Sequence, residues 1–254
     1  MSTAELVTAM EQRGVGIFSI TDHDTTRAYG ELPKMRAKII PGIEINTTTP
    51  DGVDIHVLGY GFDPASDTPI AQLLEKNRTA RRTRIMTMIE RLRKAGYPLT
   101  EEMVIAEADG SESLGRPHVA KALVRSGMVK DVQTVFEDLV GRGGPGFVPS
   151  AHISAPEAIE AIAQAGGVPV FAHPGRLSDY SVIDAMAERG IVGLEVFYPT
   201  HTPVQTAHFR GVAERLGLVM TAGSDFHDAR WKSSVVGVDV EEGDIAPFLE
   251  LLGR

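Results

Sequence analysis

The sequence contains no cysteine in its 254 residues. Without cysteine the chain forms neither disulfides nor thiolate metal sites, so any metal ion must be held by His, Asp or Glu. No apolar run approaches the length of about 20 residues that a membrane-spanning helix needs. The first residues, Met1–Arg13, also lack the apolar stretch of a signal peptide. We therefore expect a cytoplasmic protein that does not bind membranes.

The charge balance of the chain is acidic. Asp and Glu number 34 against 25 Lys and Arg, which gives a net charge of −9. This sign argues against a long groove for duplex DNA, although a local basic pocket remains compatible with it. Hydrophobic residues make up 43% of the chain, enough for the core of one barrel-sized domain or of two average ones. The sequence makes no prediction about the oligomeric state.

Segments typical of strands and of helices alternate along most of the chain, as in an α/β barrel. The predicted strands are Val15–Ile20, Lys38–Asn46, the hairpin Thr47–Tyr60, Val168–Ala172, Ile191–Phe197, Leu218–Ala222 and Val235–Val240. The predicted helices are Ala4–Arg13, Thr26–Arg36, Pro156–Ala165, Ser181–Arg189, Pro203–Leu216 and Ile245–Leu252.

One region interrupts this alternation with helical patterns alone. Ile70–Ala95 contains no Pro or Gly and has apolar residues at helical spacing, which predicts a long helix. Three shorter helices are predicted after it, Glu101–Ala108, Pro117–Ser126 and Val132–Val140, followed by a Gly- and Pro-rich loop. We therefore expect a barrel domain of residues 1–65 and 156–254. Residues 66–155 would form a helical insertion that caps one end of the barrel.

Polar residues cluster where the predicted strands end. The apolar run that begins at Ile17 ends in Asp22, His23 and Asp24, and the carboxyl ends of strands are where α/β folds carry their chemistry. Residues of metal-binding type stand at the ends of this and later strands: His23, Glu44, His56, His173, Glu195, Asp225 and His227. Each alone is ordinarily a structural residue, but together they predict a site for divalent cations. Asp22 and Asp24 either orient imidazoles or cap loops.

Six motifs occur in a fixed order: ITDHDT, PGIEI, HVLGY, FAHP, GLEVF followed by His201, and GSDFH. In this order and spacing they closely resemble the PHP (polymerase and histidinol phosphatase) phosphoesterases. The nearest likeness is to the branch with nucleoside 3′,5′-bisphosphate phosphatases and 5′–3′ exoribonucleases. The resemblance implies a distorted (β/α)7 barrel with up to three Mn, Zn or Fe ions. It also implies hydrolysis of a phosphate ester by a metal-activated hydroxide, without a covalent protein nucleophile.

The resemblance also implies a role for each matching residue. It assigns six metal ligands: His23, Glu44, His56, His173, Asp225 and His227. Glu44 would bridge the first and second ions, and His56 and His173 would complete the second. Asp225 would bind the first ion, and the two remaining histidines would bind the third. The residues expected to act in catalysis are Asp225, His227, His23 and Arg116.

Phosphate contacts are expected from the helical insertion. The match to GRPH at Gly115–His118 implies that Arg116 and His118 hold a phosphate, for which a bidentate guanidinium is well suited. The alternative is an ordinary helix start, with Pro117 in the first turn and an exposed His118. The cluster Arg78, Arg81 and Arg82 predicts a solvated helix face, with contact to nucleotide phosphates as the alternative.

Four further residues complete the expectations. Glu195 and His201 match a family position near the substrate, where they would either contact it or support the ligands. His152 and His208 match no family position and are expected to be structural or exposed.

The sequence departs from the family pattern at its start. Family members open with a strand that ends in a His-x-His pair with a nearby Asp, and this chain contains no such motif. Without this motif the first ion would lose two imidazole ligands and the third ion would lose its Asp ligand. The second ion would keep a complete set of protein ligands, Glu44, His56 and His173. We expect either a recorded start downstream of the true one or a degenerate chain without its first barrel strand. The cost of two exposed sheet edges favours the former.

The expected function is hydrolysis of a phosphate monoester on a small nucleotide or at the 5′ end of a short RNA. The metal motifs alone do not separate these substrates from histidinol phosphate, but the size of the cap favours nucleotides. Two alternatives belong to other classes: a non-catalytic protein that binds one metal ion and a phosphate, and a scaffold without metal.

Overall fold

The computed structural model describes residues 2–64, 68–108, 114–149, 153–227 and 236–253. The chain forms two compact units. The first comprises Met1–Leu73 and Ile153–Arg254, and the second comprises Leu74–His152. Within the described residues, no helix combines the length and the hydrophobicity that crossing a membrane requires.

All the strands of the described residues belong to the first unit. They are β1 Ile17–Phe18, β2 Lys38–Ile39, β3 Gly42–Thr48, β4 Asp54–Tyr60, β5 Ile153–Ser154, β6 Val168–Phe171, β7 Gly193–Phe197 and β8 Val219–Ala222. Six form one sheet in the order β5-β3-β4-β6-β7-β8, and β1 pairs with β2. The pairs β3–β4 and β4–β6 are antiparallel, whereas β1–β2, β3–β5, β6–β7 and β7–β8 are parallel. The expected α/β class is confirmed, with parallel pairs in the majority.

The helices are, in chain order, α1 Thr3–Gln12, α2 Pro69–Lys94, α3 Glu101–Ala106, α4 Arg116–Arg125, α5 Val132–Thr134, α6 Ala155–Gln164, α7 Ser181–Ala187, α8 Pro203–Leu216 and α9 Glu242–Leu251. Helices α1, α6 and α8 begin at capping boxes, in which a Ser or Thr and a Glu or Gln three residues later satisfy each other's free N–H groups. Helix α8 ends where Gly217 adopts a left-handed conformation, φ 67°.

Two apolar clusters form part of the core of the first unit. One joins the strand residues Leu58, Tyr60, Val168 and Val170 to Phe248 of α9. The other packs α1 against the segment around β1, with buried residues Val7, Met10, Phe18, Ile20, Ala28 and Val236.

The second unit is helical in its described residues. The apolar face of α2, with Ile85, Met88 and Leu92 almost fully buried, packs against residues of α3 and α4 such as Val104 and Leu123. The pattern that predicted α2 thus marks its buried face. The predicted helix Val132–Val140 instead changes after α5 into a π-helical turn, Val135–Leu139.

The predicted strand Lys38–Asn46 is divided by a kink at Pro41, which carries no N–H for a strand ladder. The hydroxyl of Tyr29 fastens this kink. It donates to the carbonyl of Ile20 (2.5 Å) and accepts from the N–H groups of Gly42 (2.7 Å) and Ile20 (3.1 Å). The short helical turn Arg27–Glu31 carries Tyr29 to this position.

Replacing Tyr29 by phenylalanine is expected to lower the free energy of unfolding by about 1–3 kcal/mol, because it leaves these backbone groups without their partner. Denaturant unfolding measures the change. The control is Tyr97→Phe, since no hydrogen bond to that hydroxyl lies among the described residues. Equal effects of the two substitutions would contradict the prediction.

The predicted strand Val235–Val240 is wrong for its described part. Val235 lies outside the described residues, and residues 236–240 pair with no described strand. Gly237 has a left-handed conformation, φ 74°, and its N–H donates to the hydroxyl of Ser224 (3.1 Å). This turn interrupts the extended backbone that a strand needs.

Candidate metal centre

Strand pairing brings Glu44 and His56 together. Asn46 of β3 lies opposite His56 of β4, and Glu44 lies two residues before Asn46, so Glu44 and His56 point to the same face of the sheet. The Nδ1 atom of His56 is 2.6 Å from Oε1 of Glu44. The backbone register alone therefore places a carboxylate beside an imidazole.

His173 joins the pair from the next strand of the sheet. It follows β6, where the N–H of Ala172 donates to the carbonyl of His56 (3.2 Å). Its Nε2 atom is 3.0 Å from Oε1 of Glu44 and 3.2 Å from Nδ1 of His56. His173 is buried and has φ 26°, a strained conformation for a residue other than glycine. Such strain costs about 1–3 kcal/mol and is concentrated at functional sites.

His23 approaches the same carboxylate from the segment after β1. The segment pairs with β3, since the N–H of Asp24 donates to the carbonyl of Glu44 (2.8 Å) and the N–H of Glu44 to that of Asp22 (3.2 Å). Nδ1 of His23 is 3.7 Å from Oε2 of Glu44. One ligand atom from each of His23, Glu44 and His56 can be chosen so that all lie within 4.8 Å of one another.

The charge states of Glu44 and His23 suit the binding of a divalent cation. Burial opposes ionisation of Glu44, but hydrogen bonds from His173 and His56 outweigh it and hold the pKa of Glu44 below its usual value. Desolvation lowers the pKa of His23, which favours the neutral imidazole. An ionised carboxylate with neutral imidazole nitrogens is the nitrogen and oxygen ligand set that Zn, Mn and Fe accept. The residues present therefore fit a divalent metal ion.

Asp24, the residue after His23, contacts β3 through Asn46. It is buried with φ 55°, and its two carboxylate oxygens accept from the N–H (3.2 Å) and the side-chain amide (2.9 Å) of Asn46. These bonds tie the His23 segment to β3. The neighbouring Asp22 is exposed, and the supporting roles expected for both residues stay predictions.

Asp225 and His227 follow β8, the last strand in the order of the six-stranded sheet. Asp225 has φ 47°, and its Oδ2 atom accepts from Nη2 of Arg176 (2.6 Å) and from the hydroxyl of Tyr198 (2.8 Å). His227 stands beside Asp225, with Nδ1 to Oδ1 at 3.4 Å, and its ring centroid lies 5.9 Å from that of His23. Three of the six expected ligands, His23, His56 and His173, thus lie beside a fourth, Glu44. Of the last two, His227 lies beside His23, and Asp225 lies beside His227.

Glu195 is a buried carboxyl group that holds His173 in place. It lies on β7, and its Oε2 atom accepts from the N–H of His173 (2.7 Å). Burial raises the pKa of Glu195 to about 8. Its other oxygen fits against Gly223, where a Cβ atom would lie only 2.0 Å away. The hydroxyl of Thr221, opposite Glu195 in the strand register, is buried without a partner among the described residues.

His201 is occupied by backbone groups at both ring nitrogens. Its Nδ1 donates to the carbonyl of Val196 (2.9 Å), and its Nε2 accepts from the N–H of Gly175 (3.1 Å). It therefore fixes the turn Pro174–Arg176 that directly follows His173. Its expected contact with substrate stays a prediction.

The remaining predicted residues belong to the second unit, except His208. Arg116 starts α4 and lies over the ring of Phe136 (6.0 Å), while Nδ1 of His118 accepts from the N–H of Gly115 (3.1 Å). Desolvation lowers the pKa of His118. That hydrogen bond matches the ordinary helix start, and phosphate binding by Arg116 and His118 stays a prediction.

The arginines of α2 form ion pairs on the helix surface. Arg78 pairs with Glu75 and Arg82 with Glu101, each at 2.6 Å. Exposed pairs of this kind are typical of a solvated helix face. His208 is exposed and its ring centroid lies 5.2 Å from that of Tyr180, and His152 lies outside the described residues.

A cavity of about 390 Å³ opens onto the cluster. Its polar end is lined by His23, Glu44, His173, Glu195, Asp225 and His227. Apolar lining residues come from α1, the β1 segment and α9, among them Met10, Phe18 and Phe248.

Arg176 and Tyr198 are site residues that the sequence did not predict. Neither is of a residue type that the sequence predicted as a metal ligand. A single Arg or Tyr beside a motif is common in any fold. The available signal was position alone, since Arg176 lies three residues after His173 and Tyr198 three after Glu195.

Comparisons with known proteins show the family to which the chain belongs. No family model matches the chain. The chain is 32% identical over 237 residues to the 3′,5′-nucleoside bisphosphate phosphatase of Chromobacterium violaceum, a match that covers 89% of this chain and 82% of the relative. It is 31% identical to a 5′–3′ exoribonuclease of Haemophilus influenzae, over 89% of this chain and 85% of that protein.

A solved structure from Bifidobacterium adolescentis, named as a metal-dependent phosphoesterase, is similar over the whole chain. Its TM-score is 0.78 at 30% sequence identity, and the match covers 100% of this chain and 93% of the other. The chain therefore belongs to the PHP-type phosphoesterases, a family of metal-dependent hydrolases, in the branch that includes the bisphosphate phosphatases and 5′–3′ exoribonucleases.

Proposed function

We propose that this protein hydrolyses phosphate monoesters of nucleotides, either nucleoside 3′,5′-bisphosphates or the 5′ end of short RNA. The observation that carries the proposal is the convergence of Glu44, His56 and His173, whose ligand atoms lie within 3.2 Å of one another. The names of the two relatives support nucleotides as the substrate class.

These residues would hold the metal. Glu44, His56 and His173 would bind one ion of Mn, Zn or Fe, and Asp225, His227 and His23 would contribute to further ions, up to three in all. A divalent cation supplies Lewis-acid chemistry, because it lowers the pKa of water and neutralises charge on a phosphoryl group.

The protein's own groups would orient the ligands and bind the substrate. Glu195 holds the backbone of His173, so that the imidazole keeps its direction toward Glu44. Arg116, at the first turn of α4, would bind a phosphate of the substrate together with His118. Arg78 and Arg82 would contact a second phosphate by exchanging their carboxylate partners.

We also infer a distorted (β/α)7 barrel, in which a strand not found among the described residues would lie between β1 and β8. β8 ends the six-stranded sheet, and β1 belongs to the separate two-stranded sheet. Residues of both line the 390 Å³ cavity, whose apolar walls suit an additional strand. A strand with a His-x-His end, fused to the N-terminus, should raise both the thermal stability and the number of ions bound per chain. No change in either quantity would contradict this arrangement.

The test of the function is release of phosphate by the purified chain with added Mn²⁺. The substrates are adenosine 3′,5′-bisphosphate and a short 5′-phosphorylated RNA, with histidinol phosphate as the comparison monoester. We expect release from the nucleotides that stops when the metal is chelated. Release that persists after chelation, or no release at saturating Mn²⁺, would overturn the proposal. Binding of one ion and of phosphate without turnover would support the non-catalytic alternative instead.

A further inference from the structure

Arg176 presents a charged group beside the candidate metal centre. One of its guanidinium nitrogens, Nη2, donates both to Oδ2 of Asp225 (2.6 Å) and to the hydroxyl of Tyr198 (2.7 Å). The guanidinium carbon lies 5.7 Å from the centre of the Tyr198 ring. These contacts fix the plane of the guanidinium group, because its anchored nitrogen and its stacked face are both held.

The backbone that carries Arg176 is fixed as well. The N–H of Gly175 donates to His201, and a Cβ atom at Gly175 would lie 2.5 Å from Cδ2 of that ring. Only glycine fits so close to the imidazole. The turn closes with the N–H of Arg176 on the carbonyl of His173 (3.2 Å), so Arg176 moves together with a proposed metal ligand.

The remaining donors of Arg176 face outward. The side chain is 53% exposed, although its partner Asp225 is only 10% exposed. Nε and Nη1 have no acceptor among the residues that the structure describes. A guanidinium group held at one nitrogen with further N–H donors open to solvent is prepared to bind an anion with little loss of conformational freedom.

We propose that Arg176 binds a phosphoryl oxygen of the substrate at the metal centre. This inference rests on the proposed function for the identity of the substrate, but phosphate binding itself needs no turnover. Arg176 would place its fork against the phosphoryl group while Asp225 and Tyr198 keep it in position. The side chain thus supplies positive charge where the negative charge of a phosphate ester is greatest.

The test is binding of inorganic phosphate to the whole chain at saturating Mn²⁺, measured by isothermal titration calorimetry. For Arg176→Gln we expect the dissociation constant of phosphate to rise about 10- to 100-fold, the loss of a charge-assisted hydrogen bond or two. The matched control is Arg210→Gln, because Arg210 also pairs with an aspartate, Asp244, and lies 5.3 Å over an aromatic ring, Phe197. Arg210 lies on α8, and its partner Asp244 is not one of the proposed metal ligands, so we expect no change in phosphate affinity.

A second variant distinguishes loss of the guanidinium group from misfolding of the chain. Arg176→Lys keeps the charge but lacks the planar fork, so we expect a smaller rise in the phosphate dissociation constant than for Arg176→Gln. Thermal unfolding of both variants and the Mn²⁺ content of each chain, measured alongside, separate loss of phosphate binding from loss of metal.

Three results would overturn the inference. They are unchanged phosphate affinity in Arg176→Gln, a loss of phosphate affinity in this variant that additional Mn²⁺ restores to the wild-type value, and no phosphate binding by the wild-type chain. Phosphate binding that depends on Arg176 without hydrolysis of any nucleotide would sustain the inference and contradict only the proposed function.

Discussion

Replacing Glu44 by glutamine is expected to weaken Mn²⁺ binding by more than about 100-fold and to remove phosphatase activity with it. Mutating a residue that only supports a metal ligand already lowers metal affinity about 10- to 100-fold. Glu44 is itself an expected ligand and lies at the centre of the cluster. Its carboxylate contacts His56 and His173 directly and lies 3.7 Å from His23. The amide of glutamine has nearly the same shape but carries no negative charge, so it removes the charge that balances the cation.

Mn²⁺ titration followed by electron paramagnetic resonance measures this effect. The matched control is Glu160→Gln, an exposed glutamate of α6 whose partner is Gln164 (2.9 Å), and we expect wild-type affinity there. Wild-type Mn²⁺ affinity in Glu44→Gln would show that the ligand set does not depend on this carboxylate.

The second large effect is expected from Gly223→Ala. The added Cβ atom would lie 2.0 Å from Oε1 of Glu195, whose other oxygen is held by the N–H of His173 (2.7 Å). The carboxyl group cannot withdraw without releasing His173. Overpacking of a buried site costs about 1–3 kcal/mol, and we expect a loss of stability in this range together with weaker metal binding.

A double-mutant cycle with Glu195→Ala isolates the cause. If the clash with the carboxyl group explains the loss, Gly223→Ala should cost at least about 0.5 kcal/mol less when Glu195 is already alanine. The control Gly211→Ala lies in α8 with nothing within 4 Å of the added Cβ, and it should stabilise the helix by about 0.5–1 kcal/mol. Additive free energies in the cycle would contradict the proposed contact.

Local sequence signals predicted the elements that are stabilised locally. Helix α8 has its predicted bounds, because Thr202 caps its start and Gly217 ends it. The strand predicted at Val15–Ile20 shortens to β1, since β2 pairs with it over only two residues. The kink that limits β2 depends on the Tyr29 hydroxyl and on backbone groups distant in the sequence, which no local pattern reveals.

In the candidate site, too, the sequence predicted some residues and missed others. His23, Glu44, His56 and His173 were expected together because each was placed near the end of a predicted strand. That placement is wrong for Glu44 and His56, which lie within β3 and β4, but the sheet still brings the four side chains within hydrogen-bonding or ion-pair distance. Arg176 lies at the site because His201, in the loop between β7 and α8, fixes the turn that carries Arg176. Its role depends on three-dimensional contacts with Asp225 and Tyr198, so residue type and spacing did not predict it.

Glu44, His56 and His173 are proposed to bind one divalent metal ion together. Anomalous diffraction at the manganese edge, from crystals equilibrated with Mn²⁺, tests it directly. We expect an anomalous peak in contact with the Glu44 carboxylate and with imidazole nitrogens of both histidines. A saturating soak that leaves no peak beside Glu44, or that places the ion away from both histidines, would contradict it.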